Sequence, residues 1–313
     1  MKVKDLVNIS DLSRGEIFEL FAETNRLKDA LKKGEPTPVL AGKTLGMIFH
    51  KPSTRTRVSF EVGMFQLGGQ ALFLGANDIQ LHRGETIADT ARVLSRYVHG
   101  IMARVFAHQD VLDLARHGSV PVINGLSDLL HPCQALADYF TLRERRGDLT
   151  GLKMAYVGDG NNVAHELMFG AVKLGMQFSI GCPTGYEPNP LICKSAAREA
   201  QKLGSPPPEV HADPLEAVAG ADVVYTDVWT SMGQEKESNR RLAAFQGFQV
   251  TPEMMAVAGP EAVFMHCLPA HRGEEVAADV IDGPQSVVFD EAENRLHVQK
   301  AVLVTLMGDG PDD

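Results

Sequence analysis

Short runs rich in β-branched and apolar residues alternate along this chain with longer helical stretches, and this alternation is its tightest constraint on fold. It predicts helices layered over mostly parallel sheets. An amphipathic helix is expected over residues 13–33, closed by Gly34, and a strand over 45–49. Lys51-Pro52 ends that strand, and Ser53 opens a helix with Val58, Val62 and Phe65 on one face, stopped by Gly68-Gly69. A strand at 70–74, a helix at 86–97, and strands at 100–106 and 121–124 follow. Pro132 suits the first position of a long helix reaching about residue 145. A second series places strands at 153–157, 177–181, 222–226, 263–265 and 286–289. The charged turn at 143–148 separates the two series, and a last helix at 296–307 is expected to fold back on the first. The expected fold class is therefore α/β with two domains, each a mostly parallel sheet flanked by helices. They comprise residues 1–146 with 296–313, and residues 147–295. A length of 313 residues suffices for both cores.

Bulk charge narrows the function classes. A formal net charge of −10 opposes a protein that coats nucleic acid, which needs a basic face, while leaving room for a local anion pocket. The 4 cysteines, Cys133, Cys182, Cys193 and Cys267, form no Cys-x-x-Cys pair, so neither a disulfide framework nor a zinc site is indicated. The first residues run into a polar segment without an apolar signal region, and no apolar stretch is long enough to span a bilayer. A cytoplasmic protein without membrane partners is expected.

The densest chemistry in the first half is Ser53-Thr54-Arg55-Thr56-Arg57 at a helix start. Unpaired first-turn amides, the positive helix end, two-point guanidinium contacts and hydroxyl donors are what an anion needs. Simple capping by Ser53 with solvated arginines explains the same residues about as well. Arg104 interrupts an apolar strand, and His131-Pro132-Cys133-Gln134 starts a helix just after another. Each has an ordinary reading as an edge charge or a cap.

In the second half, Gly158-Asp159-Gly160-Asn161-Asn162-Val163 sits between a strand and a helix. Val163 replaces the third glycine of a dinucleotide fingerprint, and the next strand ends at Gly181-Cys182-Pro183 without a ribose-binding acid. A nicotinamide cofactor is disfavoured, and the turn instead offers Asn162 to a polar substrate. Asp227, Ser231, Met232 and Gly233 share a long loop, suited either to a closing lid over an amino-acid head group or to a plain connection. His266, His271, Glu274 and Glu275 resemble a metal cluster, but the spacing is wrong and Pro269 breaks any helix that would align the histidines. Cys267 reads as a nucleophile or a small buried apolar group.

The ordered set of Ser-Thr-Arg-Thr-Arg, Asp-Thr-Ala-Arg-Val-Leu at 89–94, Arg104, His-Pro-Cys-Gln, Gly-Asp-Gly-Asn-Asn, Ser-Met-Gly and His-Cys-Leu-Pro covers nearly the whole chain. It resembles the aspartate/ornithine carbamoyltransferase family, and Asp227, the Ser-Met-Gly loop and His-Cys-Leu-Pro resemble its ornithine-specific branch. The resemblance implies transfer of a carbamoyl group from carbamoyl phosphate to the side-chain amine of L-ornithine, giving citrulline and phosphate within arginine metabolism. No metal or organic cofactor is expected. Ser53, Thr54, Arg55, Thr56 and Arg104 would hold the phosphate. Thr56, Arg104, His131 and Arg295 would polarise the carbonyl, while Gln134 and the carbonyls of Cys267 and Leu268 would hold the amino group, with a cis Leu268–Pro269 bond. Asn162, Asp227, Ser231 and Met232 would bind ornithine, with Cys267 beside the attacking amine. Arg55, Arg104, His131 and Cys267 are the implied catalytic residues. A homotrimer is implied as well, in which a basic residue after Leu74 reaches a neighbouring subunit's site; Arg83 is the candidate. Arg57 is left to brace the loop by an internal ion pair. Three alternatives are a carbamoyltransferase for another amine, a Rossmann oxidoreductase, and a non-catalytic amino-acid binder.

Overall fold

A computed structural model describes residues 3–76, 79, 84–233 and 235–308 of the chain. Arg83 and its neighbour His82 lie outside the described residues. The chain divides into two compact units, Met1–Phe140 with Glu293–Asp313, and Thr141–Ala292.

The first unit is built on a parallel four-stranded sheet of order β2-β1-β3-β4. Its strands are β1 (Thr44–Phe49), β2 (Gln70–Gly75), β3 (Gly100–Arg104) and β4 (Val122–Leu126). From Leu45 to Phe49, β1 is buried without a break, as expected of a strand covered on both faces. Ile48, Ile101, Ala103, Val111, Leu114 and Val122 form the core here. Burying each such branched side chain contributes roughly 1.5–3 kcal/mol. The helices are α1 (Arg14–Lys32), α2 (Thr54–Gln66), α3 (Ile87–Leu94), α4 (His108–His117) and α5 (Pro132–Arg146). Ser13 and Glu16 close a capping box at the start of α1.

One expectation about α2 needs refining. Val58, Val62 and Phe65 share a face, but that face is not the buried one. Thr56, Phe60, Gly63 and Met64 are buried instead, while Phe65 is 81% exposed. A Cβ on Gly63 would stand 3.2 Å from Lys300 and 3.8 Å from Leu296 and Leu303, so the missing side chain lets the C-terminal helix lie close.

The second unit carries a parallel five-stranded sheet of order β7-β6-β5-β8-β9. These are β5 (Lys153–Val157), β6 (Gln177–Gly181), β7 (Glu209–His211), β8 (Val223–Thr226) and β9 (Val263–His266). Around it stand α6 (Asn162–Leu174), α7 (Pro190–Leu203), α8 (Pro214–Val218), α9 (Ser238–Ala244), α10 (Pro252–Ala258) and α11 (Ala278–Ile281). Its core gathers Val157, Val224, Trp229, Phe245, Phe264, Val276 and Ile281.

The strand expected at 286–289 does not form. Ser286 makes a single bridge to Phe264, and helix α12 (Val288–Met307) begins two residues later, eight earlier than the sequence pattern suggests. Most of α12 belongs to the first unit. Among the described residues no helix is long and apolar enough to cross a membrane.

Candidate active site

Both sheets reverse their strand order at an inner strand, which opens a crevice at the carboxyl ends of the strands. In the first unit the switch lies at β1, paired with β2 on one side and β3 on the other. The chain leaving β1 carries Ser53, and β3 ends at Arg104. In the second unit the switch lies at β5, between β6 and β8. Leaving β5 the chain carries Asp159, Asn161 and Asn162, and leaving β8 it carries Asp227.

At the first switch point Ser53 caps α2, its hydroxyl oxygen accepting the Thr56 N–H at 3.2 Å. Ser53 is thus a cap, and its hydroxyl hydrogen stays available as a donor. No acidic residue occupies the first turn of α2, so nothing there offsets the positive helix end. Arg57 turns elsewhere: its Nε donates to Glu61 at 2.9 Å, and its guanidinium lies 3.9 Å from the Phe73 ring centre. Arg57 is thereby set apart from Ser53, Thr54, Arg55 and Thr56, the candidate anion-binding residues.

Arg295, buried on α12, organises the rest of this set. It donates to Gln134 Oε1, to Thr56 Oγ1 at 3.3 Å, and through Nε to Gln299 Oε1 at 3.0 Å. Gln134 donates in turn to Asp138 at 2.8 Å, which fixes which end of its amide is the oxygen. Lys51, beneath the Phe106 ring, pairs with Asp128 and ties the loop after β1 to the loop before α5. His131 is buried, and its Nδ1 has no hydrogen-bond partner among the described residues. Burial and the charges of Arg295, Arg104 and Arg55 hold the imidazole well below the usual histidine range. His131 is therefore a neutral ring amid three guanidinium groups.

The second switch point is built from amides and carboxyls. Asn161 caps α6, its Oδ1 accepting the N–H groups of Val163 at 2.9 Å and Ala164 at 3.2 Å. Its Nδ2 donates to Asp227 Oδ2 at 2.8 Å. The Asp227 Oδ1 accepts the Val228 N–H at 2.8 Å and the Cys267 thiol at 3.1 Å. Asn162 begins α6, Ser231 is half-buried and Met232 is exposed.

Gly160 is glycine for a reason unrelated to dinucleotides: a Cβ there would sit 2.2 Å from the Pro188 nitrogen. Asp159 meets Arg241 at 2.9 Å, and the same nitrogen of Arg241 donates to the Trp229 carbonyl at 2.9 Å. Burial nevertheless pushes the Asp159 carboxyl up to about 6, outweighing the arginine. Burial, then the charges of Asp227 and Asp159, hold the Tyr156 phenol well above its ordinary range.

The Cys267-Leu268 turn is braced from behind. His266 Nδ1 accepts the Leu268 N–H at 2.8 Å, so its proton sits on Nε2 and is donated to Glu275 at 3.1 Å. The His266 N–H donates to Glu291 at 3.0 Å. Leu268 has φ 56°, and the Leu268–Pro269 bond is cis. The metal-like cluster of the sequence sorts into two groups whose ligand atoms lie together, Asp227-His266-Cys267 and His271-Glu274-Glu275. His266 and His271 fall in different groups, as the break at Pro269 leads one to expect.

Two family descriptions match the chain in tandem. The carbamoyl-P binding domain of aspartate/ornithine carbamoyltransferase covers residues 4–144, and the Asp/Orn binding domain covers residues 150–306. The chain belongs to the aspartate/ornithine carbamoyltransferase family. Within this family, an ornithine carbamoyltransferase of Thermococcus kodakarensis is 59% identical over 305 residues, 97% of this chain and 96% of its own. An anabolic ornithine carbamoyltransferase of Pyrococcus furiosus is 57% identical over 305 residues, again 97% and 96% of the two chains. Among solved structures, the ornithine carbamoyltransferase from Pyrococcus furiosus matches with a TM-score of 0.93 at 57% identity, covering 97% of this chain and 96% of that one. The Thermus thermophilus enzyme matches with a TM-score of 0.88 at 45% identity, covering 98% and 100%.

Sequence reasoning on this family member singled out Asn162 and passed over Asn161, Tyr156 and the Asp159–Arg241 pair. An Asn directly before a helix start was a legible capping signal. Nothing in the sequence said that its amide would also meet Asp227, 66 residues away.

Proposed function

We infer that this protein transfers the carbamoyl group of carbamoyl phosphate to the side-chain amine of L-ornithine, forming L-citrulline and phosphate. The observation that carries the reading is the buried neutral His131 among Arg55, Arg104 and Arg295. Such a set answers the charge of carbamoyl phosphate twice. Ser53, Thr54, Arg55, Thr56 and Arg104 take the phosphate oxygens at the open end of α2. Thr56, Arg104, His131 and Arg295 stabilise the carbonyl oxygen as negative charge develops on it, often the largest catalytic contribution. A neutral His131 can donate without placing a fourth cation beside three. Gln134, oriented by Arg295, and the carbonyls of Cys267 and Leu268 accept from the carbamoyl amino group.

Ornithine falls to Asn162, Asp227, Ser231 and Met232. A free α-amino group suits the Asp227 carboxylate, which argues for ornithine over an acylated ornithine or a diamine lacking the head group. An alkylamine with a pKa near ~10 is protonated at neutral pH. The bound side-chain ammonium gives up its first proton before attack, and the Cys267–Asp227 pair is the acceptor on this side of the site. The amine lone pair then adds to the carbonyl carbon, the C–O bond to phosphate breaks, and phosphate leaves into the donors that held it with the proton the amine gives up. Holding both substrates in register supplies much of the remaining acceleration.

The same reading includes a cytoplasmic homotrimer. All four cysteines are in the thiol form, which suits a reducing compartment. Val58 and Phe65 on α2, and Leu72 and Phe73 on β2, are exposed apolar side chains that a subunit contact would cover. Arg83 remains the candidate for reaching a neighbouring copy. The deciding assay compares citrulline-type product formation from carbamoyl phosphate with ornithine, putrescine, acetylornithine and aspartate. Ornithine is expected to be used far better than the other three; preference for any of them would overturn the assignment.

A further inference from the structure

The Asp227 carboxylate is held by three donors, the Asn161 amide, the Val228 N–H and the Cys267 thiol. Asn161 uses both ends of its amide. Its oxygen accepts the Val163 and Ala164 N–H groups at the start of α6, at 2.9 and 3.2 Å, and the Tyr156 hydroxyl at 3.3 Å. Those donors leave its nitrogen one orientation, and that nitrogen meets Asp227 Oδ2 at 2.8 Å. The opposite oxygen of Asp227 is fixed by Val228 and Cys267, at 2.8 and 3.1 Å. A carboxylate held at one oxygen alone turns about its last bond, because that torsion is broad. Held at both, it presents its remaining lone pairs in one direction.

We propose that Asn161 is a positioning residue for ornithine recognition: it transmits the fixed start of α6 and the Tyr156 hydroxyl to the Asp227 carboxylate, so that Asp227 meets the amino-acid head group already oriented. The inference rests on the assignment of Asp227 to ornithine. Asn161 itself touches neither substrate in this account, so it acts through Asp227. The feature separates two duties that a single truncation would confound. Asn, Asp and Ser cap helices about equally well, but neither Asp nor Ser can offer Asp227 an amide N–H. Asp sets a second carboxylate against the first, and Ser is too short to reach.

The test measures Asn161→Asp, Asn161→Ser and Asp227→Ala against the wild-type enzyme, varying ornithine and carbamoyl phosphate in turn and recording thermal midpoints. Both Asn161 variants are expected to keep a midpoint within a few degrees of wild type and a carbamoyl phosphate KM within about twofold. Their ornithine KM is expected to rise at least about tenfold, with Asp worse than Ser. An unchanged ornithine KM in both, while Asp227→Ala raises it, overturns the positioning role and leaves the Asp227 assignment standing. A fall in thermal midpoint with equal losses for both substrates reduces Asn161 to a cap and also overturns it. No ornithine effect in Asp227→Ala removes the assignment beneath the inference, a failure recognisably different from the first.

Discussion

The two switch points share a topology and carry opposite electrostatics. Each lies where a parallel sheet reverses strand order, and each is completed by a helix that starts just after an inner strand. In the first, burial and then the charges of Arg295, Arg104 and Arg55 keep the proton off His131. In the second, burial holds protons on: Asp159 is raised to about 6, and Tyr156 is raised further by Asp227 and Asp159. The fold thus supplies two equivalent crevices, and the side chains at the strand ends decide what each accepts. A cationic crevice suits a phosphate and a developing oxyanion; an acidic one with thiol and amide neighbours suits a cationic amino group.

The sharpest way to break this contrast is to remove charge from the cationic side. Arg55→Ala is expected to lower kcat/KM for carbamoyl phosphate by about a thousandfold, in line with the loss of a charged donor to the anion and to the developing oxyanion. Steady-state kinetics with wild-type values would remove the phosphate assignment. On the acidic side, Asp227→Asn is expected to raise the ornithine KM by about thirtyfold, a charged hydrogen bond's worth. The carbamoyl phosphate KM should stay within about threefold; equal losses for both substrates would erase the division of labour.

A pH experiment sharpens the second half of the comparison. Asp159 binds its proton more tightly folded than unfolded, so between about 6 and 4 the native state holds more protons and acidification favours folding through this group. Its contribution is lost as pH rises through about 6. Going from pH 7 to pH 5, wild type should therefore gain on the order of 1 kcal/mol of unfolding free energy relative to Asp159→Asn. A constant difference across that range would mean the carboxyl is not raised. The smallest effect is expected at Arg57→Ala, which removes an exposed i,i+4 pair with Glu61 and a ring contact. About 0.5 kcal/mol of stability and less than a threefold change in turnover are expected, so a large activity loss would return Arg57 to the anion site.

Much of this was legible in the sequence, for identifiable reasons. Ser13 with Glu16, Ser53, and Pro132 after His131 are local signals, and the helices begin where they point. Parallel strands buried on both faces announce themselves as apolar runs. What failed was non-local. The Val58-Val62-Phe65 stripe has the period of a buried helix face, yet Val58 and Phe65 are exposed. Residues 286–289 look like a strand because Val287 and Val288 are β-branched, but only Ser286 finds a sheet partner, and Val288 already belongs to α12. The same limit applies at the site. Arg55 and His131 were visible as types at helix starts, whereas the bracing of Asp227 by Asn161 and of the Cys267-Leu268 turn by His266 and Glu275 exists only once β5, β8 and β9 lie side by side.

The most direct test of the contrast is the charge state of His131, read by nitrogen NMR of the imidazole in the wild-type enzyme at about pH 6, where an ordinary histidine with a pKa near ~6.5 is mostly protonated. The account predicts one protonated and one bare ring nitrogen, a neutral imidazole held so by burial and by the charges of Arg295, Arg104 and Arg55. An imidazolium signal, with both nitrogens protonated at that pH, would contradict it.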